Sequence, residues 1–406
     1  MNFNLKEIMI GDLHIHSRFS RACSKDINFE NLVKWAKIKG LNFLGTGDFT
    51  HPKWFEEISK LKEKNGLYYY KDFPFVITGE ISLIYTDLRG RRVHLNLLVP
   101  SLEIASKINS YLDSLGRRDY DGRPIFKISC EEFTKKMKEI SEEIEIIPAH
   151  IWTPWFGVYG SCSGYDSIKE AFGNQFNKIY AIETGISSDP EMNAKISELN
   201  KKSIVSFSDS HSFWPYRLGR EATIFYKIES YKDLIKQIRE NSFFGTIETD
   251  PAYGKYHYDG HRNCNFSCPP EKTKELNGIC PICKKPLTIG VDYRIETLKD
   301  LENKREINKP FFTLLPLHEI ISFVTKTSVN SKRVWEIYNN LISLFENEFN
   351  ILLTVEKNKF LEHKINEELI NQIIKNREGK IKVKPGFDGE YGIIIEDEKN
   401  EKLIFL

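Results

Sequence analysis

Residues 10–20 read IGDLHIHSRFS and place two histidines, His14 and His16, one residue apart directly after an apolar run that reads as a first strand. Residues two apart on a strand project from the same face, so the two imidazoles stand side by side. Up to about residue 227 the chain alternates β-rich runs with helical periodicity. The strand candidates are EIMIGDLHI, LNFLGTGD, FPFVITGE, RVHLNLLVP, EIEIIPAH, KIYAIETG, SIVSFSDS and ATIFYKI, and FENLVKWAKIKG, WFEEISKLKEK and PEMNAKISELNKK are helices between them. This alternation predicts an α/β domain built on a parallel barrel or a doubly wound sheet. In the stretch FPFVITGEISLIYTDLRGRRVHLNLLVP, a tight turn at Leu88-Arg89-Gly90 predicts a hairpin instead.

Polar chemistry gathers at the same ends of these strands. Asp48 closes LGTGD with His51 three residues on, Glu80 closes VITGE, His150 closes IIPAH, Asp209 and His211 close SFSDSH, and His94 lies early in the second arm of the hairpin. In parallel α/β folds the carboxyl ends of the strands line the active site. Any one of these residues reads as a cap or a hydrogen-bonded structural side chain. Six of ten histidines, with carboxylates, at one pole need compensation that a group of cations supplies, so the pattern predicts a multinuclear metal site. Nitrogen and oxygen donors without cysteine suit Zn, Mn or Fe. Such ions lower the pKa of water and neutralise an in-line phosphoryl displacement, which predicts phosphoester hydrolysis.

Composition bounds the partners. The 406 residues carry 58 Lys and Arg against 57 Asp and Glu, a net charge of +1, so a nucleic-acid partner has to be held by a local patch. No apolar run approaches the ~20 residues of a membrane span, and the N-terminus lacks the pattern of a leader, so a cytoplasmic protein with no membrane partner is expected. Four of the seven cysteines fall in CNFSCPPEKTKELNGICPIC, whereas Cys23, Cys130 and Cys162 stand alone. Cys264, Cys268, Cys280 and Cys283 predict a closed, structural zinc site in a reducing compartment. Nearby, His261 and Arg262 either face a phosphate or decorate the module. The texture shifts near Phe244 and again after Leu287, which gives an expected division into a barrel domain (1–243), a four-cysteine zinc module (244–300) and a C-terminal, mainly helical domain (301–406). The closing EKLIFL is expected to form a final strand.

DLHIHS, GTGDFTHP, TGE, HLN, PAH and SDSH, in this order, resemble the polymerase and histidinol phosphatase (PHP) family of metal-dependent phosphoesterases over about the first 230 residues. That resemblance implies a distorted (β/α)7 barrel holding three ions on nine ligands. Residue by residue, it implies His14, His16 and Asp209 on one ion, Glu80 bridging to a second completed by His94 and His150, and His51 and His211 on a third. The third ion also needs an aspartate, for which Asp26 is the match, although SRFSRACSKD is longer than the usual spacing. His14, His16, Glu80 and Asp209 would then be the catalytic core. Asp48 is expected to support His51 through a hydrogen bond. HIHSRFSRACSKD, GDFTHPKW, AHIWTPWFGVYGSCSGYDSIKEAFG, the four-cysteine module with KKPLTIGVDYRIE, LPLHEII and PGFDGEYG resemble, across nearly the whole chain, the endonuclease Q family of DNA repair enzymes.

This second resemblance implies hydrolysis of the phosphodiester 5′ to deaminated bases (uracil, hypoxanthine, xanthine) and abasic sites, with the lesion flipped out and with zinc in the module and the cluster, manganese, iron or magnesium being the other candidates for the cluster. Damaged DNA is the implied partner, and a sliding clamp is an open one. The candidate DNA contacts are Arg89, Arg91 and Arg92 at the hairpin tip, Arg117 and Arg118 of LGRRDYDGRP, and His261 and Arg262. Of the aromatic loop, Trp152, Trp155, Phe156 and Tyr165 are candidates too, one or two of them for stacking on DNA and the rest for packing the rim. Ser161 to Tyr165 is the candidate base pocket. The competing readings are a small-molecule phosphate monoesterase of the histidinol phosphatase type and a DNA-binding adaptor with an inactive barrel.

Overall fold

The computed structural model describes residues 7–300 and 306–396; EKLIFL lies outside them. Seven of the eight expected strands make a distorted barrel: β1 (Ile8–Asp12), β2 (Phe43–Gly45), β3 (Phe73–Asp87), β4 (Arg89–Val99), β5 (Glu145–Pro148), β6 (Ala181–Glu183) and β7 (Ser203–Val205). β1, β2 and β3 run parallel, β4 is antiparallel to both β3 and β5, and β6 and β7 are parallel. Two looser seams close the ring. Ile151 N donates to Glu183 O at 3.2 Å, joining the end of β5 to β6, and His16 N donates to Ser210 O at 2.9 Å, joining the extension of β7 to that of β1. Leu13, Phe43, Val76, Leu98, Ile147, Ala181 and Val205, one from each strand or its immediate end, pack into one buried cluster, so the barrel is filled and its chemistry is confined to the mouth.

The expected hairpin is β3–β4. Asp87 pairs with Arg89, so the turn is narrower than the expected three residues and consists of Leu88 alone in the left-handed region (φ 54). The eighth expected strand, β8 (Ala222–Tyr226), runs antiparallel to β1 on the outside of the ring. Helices between the strands begin and end where local chemistry dictates. Asn28 caps Phe29–Lys39 by accepting from Asn31 N, and Gly40 closes that helix at φ 100. Ser129 and Glu132 form a reciprocal capping box at Cys130–Ile140.

The expected boundary at 243/244 falls immediately before β9 (Gly245–Glu248), which extends the main sheet beside β8 and then pairs in parallel with Phe311–Thr313 from the C-terminal third. Between them, Asp259–His261 and Phe266–Cys268 form the small hairpin of the cysteine module. The C-terminal third is mainly helical, with Leu317–Thr325, Lys332–Phe345 and Glu367–Arg377 as its main helices. Its tail returns to the module: Tyr258 N donates to Gly386 O at 3.0 Å, and Thr288 Oγ1 donates to Asp388 at 2.7 Å. Among the described residues, no helix is long and apolar enough to cross a membrane.

A buried ion pair locks the helical part to the barrel. Lys39 Nζ, at the end of the first barrel helix, donates to Glu348 at 2.7 Å and to the Pro215 carbonyl at 2.9 Å. Glu348 also accepts from Tyr338 OH and Leu317 N. Both charges are withdrawn from solvent, so each depends on the other. Lys39→Met is expected to cost about 3–5 kcal/mol in chemical denaturation, because it strands a buried carboxylate, and Lys39→Met with Glu348→Leu should recover most of that loss.

Candidate metal centre and nucleic-acid interface

Glu80 lies on the long strand β3, fully buried at the barrel mouth, and its two oxygens face two different sets of donors. Oε2 is 3.6 Å from His14 Nε2 and 3.3 Å from His16 Nε2, and Asp209 Oδ1 completes that set at 3.0 Å from His16. Oε1 is 2.6 Å from His94 Nδ1 and 3.1 Å from His150 Nε2. The ligand atoms within each set lie within 4.8 Å of one another, a spacing that admits one ion per set with Glu80 between them. The buried Nε2 of His14 has no hydrogen-bond partner, as expected of a donor aimed at a cation.

Strained backbone aims these side chains. Asp48, His150 and Asp209 adopt left-handed φ values of 45°, 33° and 49°. The other ring nitrogens are held by carboxylates beneath the donors. Asp48 accepts from His16 Nδ1 at 2.9 Å and from Ser17 N, Ser17 Oγ and Ser20 Oγ, so it orients His16 rather than the expected His51. It lies just beyond the end of β2, the strand adjacent to the first motif, whereas His51 stands at the start of the next helix, Pro52–Ile58. Gly122 packs so closely here that a Cβ would lie 2.1 Å from Asp48 Oδ2. Glu183, which the sequence reading did not single out, accepts from His14 Nδ1 at 2.8 Å and from His150 N at 3.1 Å, tying the two donor sets together. It lies near the end of the strand candidate KIYAIETG as Glu80 closes FPFVITGE, and that parallel was its only sequence signal.

The charges are mutually sustained. Burial opposes the Glu80 carboxylate, yet His94, Arg123 and His14 hold it well below the usual range, and Arg123 Nη1 is 3.1 Å away. Burial likewise opposes Asp209, which His211, His16 and His14 hold well below its ordinary value. Against their own burial, His14 is raised by Glu183 and Glu80, and His16 by Asp48 and Asp209. Burial pushes His94 down to about 4.

The expected third ligand set is not brought into one group. His211 stays close, its ring 4.5 Å from that of His16. His51 stacks on Phe19 at 4.3 Å and is bonded to the Asp119 carbonyl at 3.1 Å, with a buried, partnerless Nδ1. Asp26 is exposed: its carbonyl accepts from the amides of Asn28 and Asn31 just before the first helix, which leaves its carboxylate in solvent. From the same segment, Cys23 turns inward, where burial and the nearby Asp48 and Asp209 push its thiol far up.

In the module a histidine gathers with three of the cysteines. His261 Nδ1 lies 3.1 Å from Cys264 Sγ and 3.4 Å from Cys283 Sγ, and these three gather with Cys280. Cys268 is two pairs along the hairpin, opposite Asp259, and its thiol meets Thr273 Oγ1 at 3.2 Å. The structure therefore brings His261, rather than Cys268, into one group with Cys264, Cys280 and Cys283, where four cysteines were expected. The signal was available: His261-x2-Cys264 and Cys280-x2-Cys283 have matched spacing.

A cavity of about 380 Å³ opens over the donors, lined by Arg21, Arg123, Trp155 and Phe156 among others. Trp155 is 45% exposed, and Phe156 lies against His94 at 4.2 Å, with Arg92 over both rings. Trp152 and Tyr165 are buried in the rim. Trp152 stacks on Tyr159 and donates to Asn193, while Tyr165 bonds to Tyr85 under the Arg91 guanidinium. Most of the expected arginines are committed to the protein itself. Arg89 and Arg91 donate to the Gly164 carbonyl, Arg117 pairs with Asp119, Arg118 with Asp113, and Arg262 donates its backbone N–H to Asp388 while its guanidinium lies 3.8 Å from Glu390 of the tail. The Ser161–Tyr165 loop is tied down as well, with Ser163 Oγ accepting from Phe156 N and Ser161 Oγ donating to Ile289 O.

Comparisons with known proteins follow this architecture. The family model of the MJ0043 C-terminal domain matches residues 316–380. The lesion-specific endonuclease PfuEndoQ of Pyrococcus furiosus has a crystal structure that superposes with a TM-score of 0.85 at 31% identity over 95% of each chain. An endonuclease Q in complex with a 27-mer duplex carrying an abasic lesion at its active site superposes with a TM-score of 0.87 at 32% identity over 97% of each chain. The uncharacterized protein MJ0043 of Methanocaldococcus jannaschii is 30% identical over 69% of this chain, which spans only 35% of that longer relative.

Two outcomes are expected from this geometry. His261→Ala should lower the metal bound per chain by one equivalent in elemental analysis, whereas Cys268→Ser should leave it unchanged. Glu183→Gln should weaken metal binding at the barrel mouth by about 10–100-fold in a chelator competition, since it removes a partner that fixes one ligand ring and one ligand backbone.

Proposed function

Because the chain belongs to the endonuclease Q family, as its 31% and 32% identity over nearly the full length of two members shows, we propose that it is a cytoplasmic DNA repair endonuclease. It hydrolyses the phosphodiester on the 5′ side of deaminated bases (uracil, hypoxanthine and xanthine) and of abasic sites. The observation that carries this reading is Glu80, one buried carboxylate offering an oxygen to each of two donor sets at the floor of an open cavity.

The donors fit divalent cations. His14, His16, Asp209 and Glu80 would hold one, Glu80, His94 and His150 a second, and the Cys3His set of the module a structural zinc. When bound, zinc, or manganese, iron or magnesium, would activate water and neutralise charge on the scissile phosphate. The protein supplies the remaining requirements. Asp48 and Glu183 fix the rings of His16 and His14, and Arg123 places a cation in the cavity beside Glu80. Trp155 and Phe156 give the mouth a stacking surface next to His94, suited to a base taken out of the duplex. Deamination exchanges an exocyclic amine donor for a carbonyl acceptor, so a pocket of N–H donors accepts the lesion and rejects cytosine or adenine at an unpaired-donor cost of about 1–3 kcal/mol.

Duplexes carrying a single uracil, hypoxanthine, xanthine or abasic site, incubated with each divalent metal in turn, should be nicked 5′ to the lesion. Glu80→Ala should reduce nicking by roughly 100-fold or more, with duplex affinity retained in a gel-shift titration. Absence of nicking on every lesion and metal, with turnover of a chromogenic phosphate monoester, would replace this reading with a small-molecule phosphatase.

A further inference from the structure

Outside the metal centre, one pair of carboxyl groups is buried without a counter-ion. Glu221 and Glu248 lie where β8 and β9 meet. The antiparallel register pairs Ala222 with Ile247, and one step further along it sets Glu221 directly opposite Glu248. Residues so paired project from the same face with their Cβ atoms about 4.5–5.5 Å apart, and two like charges there repel. Both side chains are fully buried. Among the described residues, neither reaches a lysine, arginine or histidine within ion-pair distance.

The surroundings supply hydroxyls and an amide in place of cations. Glu221 accepts from Thr249 N at 3.1 Å and from Ser206 Oγ, just past β7, at 3.3 Å. Glu248 Oε2 accepts from Thr184 Oγ1, just past β6, at 2.9 Å. Its other oxygen, Oε1, is buried with no partner, as is Thr246 Oγ1 on the same face of β9. The charged groups facing the pair add to the problem: Glu183 at the end of β6 raises Glu221, and Asp189, from the turn after it, raises Glu248. Arg220, next to Glu221 in the chain, opposes this, but its guanidinium is turned to the Ser208 carbonyl and the Tyr391 hydroxyl.

A carboxylate withdrawn from water needs a cation or a set of donors, and the donors here suffice for one charge and not for two. Burial raises both carboxyls, and the charge of Glu248 raises Glu221 further, well above the ordinary glutamate range. We propose that Glu221 and Glu248 share one proton, the neutral carboxyl of one donating to the carboxylate of the other, and that this latch fastens the joint through which β9 ties the barrel to Phe311–Thr313 of the C-terminal part. The latch is sensitive to pH. The folded chain keeps a proton that the unfolded chain releases above the ordinary glutamate pKa, so the contribution is complete below that pKa and declines as the pH climbs. It is lost as the pH passes about 8, the value to which burial raises Glu248, and a second charge then opposes the pairing of β8 with β9.

The test compares the full chain with its E221Q/E248Q variant by infrared spectroscopy and by chemical denaturation from about pH 5 to about pH 9. Near neutral pH the unsubstituted protein should show a protonated-carboxyl stretch that the double variant lacks. Over the same range up to about pH 8, its unfolding equilibrium constant should rise by about tenfold per pH unit relative to that of the variant, as one proton held only in the folded state requires. Should the double variant fail to fold, E248Q alone serves for both comparisons, because its amide donates to Glu221 where the proton stood. An unchanged carboxyl band, or stability curves that run parallel with pH, would overturn the latch. So would one further equivalent of metal ion bound to the unsubstituted protein and lost from the variant in elemental analysis, since a cation would then stand where the proton is placed.

Discussion

A single carboxylate buried among histidines sets the terms for the mouth of this barrel. Glu80 is withdrawn from water yet held ionised, which is tolerable only because Arg123 and His14 set compensating charge beside it and the rings of His94 and His150 lie against its other oxygen. Those partners arrive from the ends of different strands and, for Arg123, from a loop, so the charge balance works only if the ring of strands closes in the observed register. The seams that close it pass through the same residues. His16 N bonds to Ser210 beside Asp209, and the Glu183 side chain holds His14 and the His150 backbone together. Fold and site are thus the same set of interactions seen at two scales.

The surroundings divide the available cations into two classes. Arginines expected to face DNA because they cluster in sequence, such as Arg89, Arg91, Arg117 and Arg118, are consumed by carbonyls and carboxylates of the chain. Those that line the cleft without a carboxylate partner are Arg217 and Arg220, close together after the SDSH motif, and Lys255, just before the cysteine module. A nearly neutral chain with 58 basic and 57 acidic residues can present a basic groove only by this selective pairing.

The cysteine module and the tail act as a buttress to that groove. The His261–Cys264 and Cys280–Cys283 knuckles fix the hairpin, the tail bonds to it through Gly386 and Asp388, and Tyr391 is thereby delivered to the barrel mouth. The helical part is anchored separately by Lys39 and Glu348. Segments that look like appendages in sequence share the main sheet through Gly245–Glu248 and Phe311–Thr313.

The sequence by itself determined the strands of the barrel, the hairpin, and the six residues His14, His16, Glu80, His94, His150 and Asp209 that meet at its mouth, because period-2 patterning and strand-end polar residues are local properties of the chain. It also held the matched two-residue knuckles of the module, although the cysteine count drew attention to Cys268 instead. Tertiary structure alone decided which polar side chains serve which. Asp48 turns to His16 because β2 lies beside β1, Glu183 reaches two donors because β6 closes the ring, and Asp26 stays outside because local amides hold its loop turned away. The arginines divide in the same way: Arg117 and Arg118 are paired with close sequence neighbours, Asp119 and Asp113, whereas Arg89 and Arg91 meet the Gly164 carbonyl only because the folded packing brings a distant loop within hydrogen-bond distance.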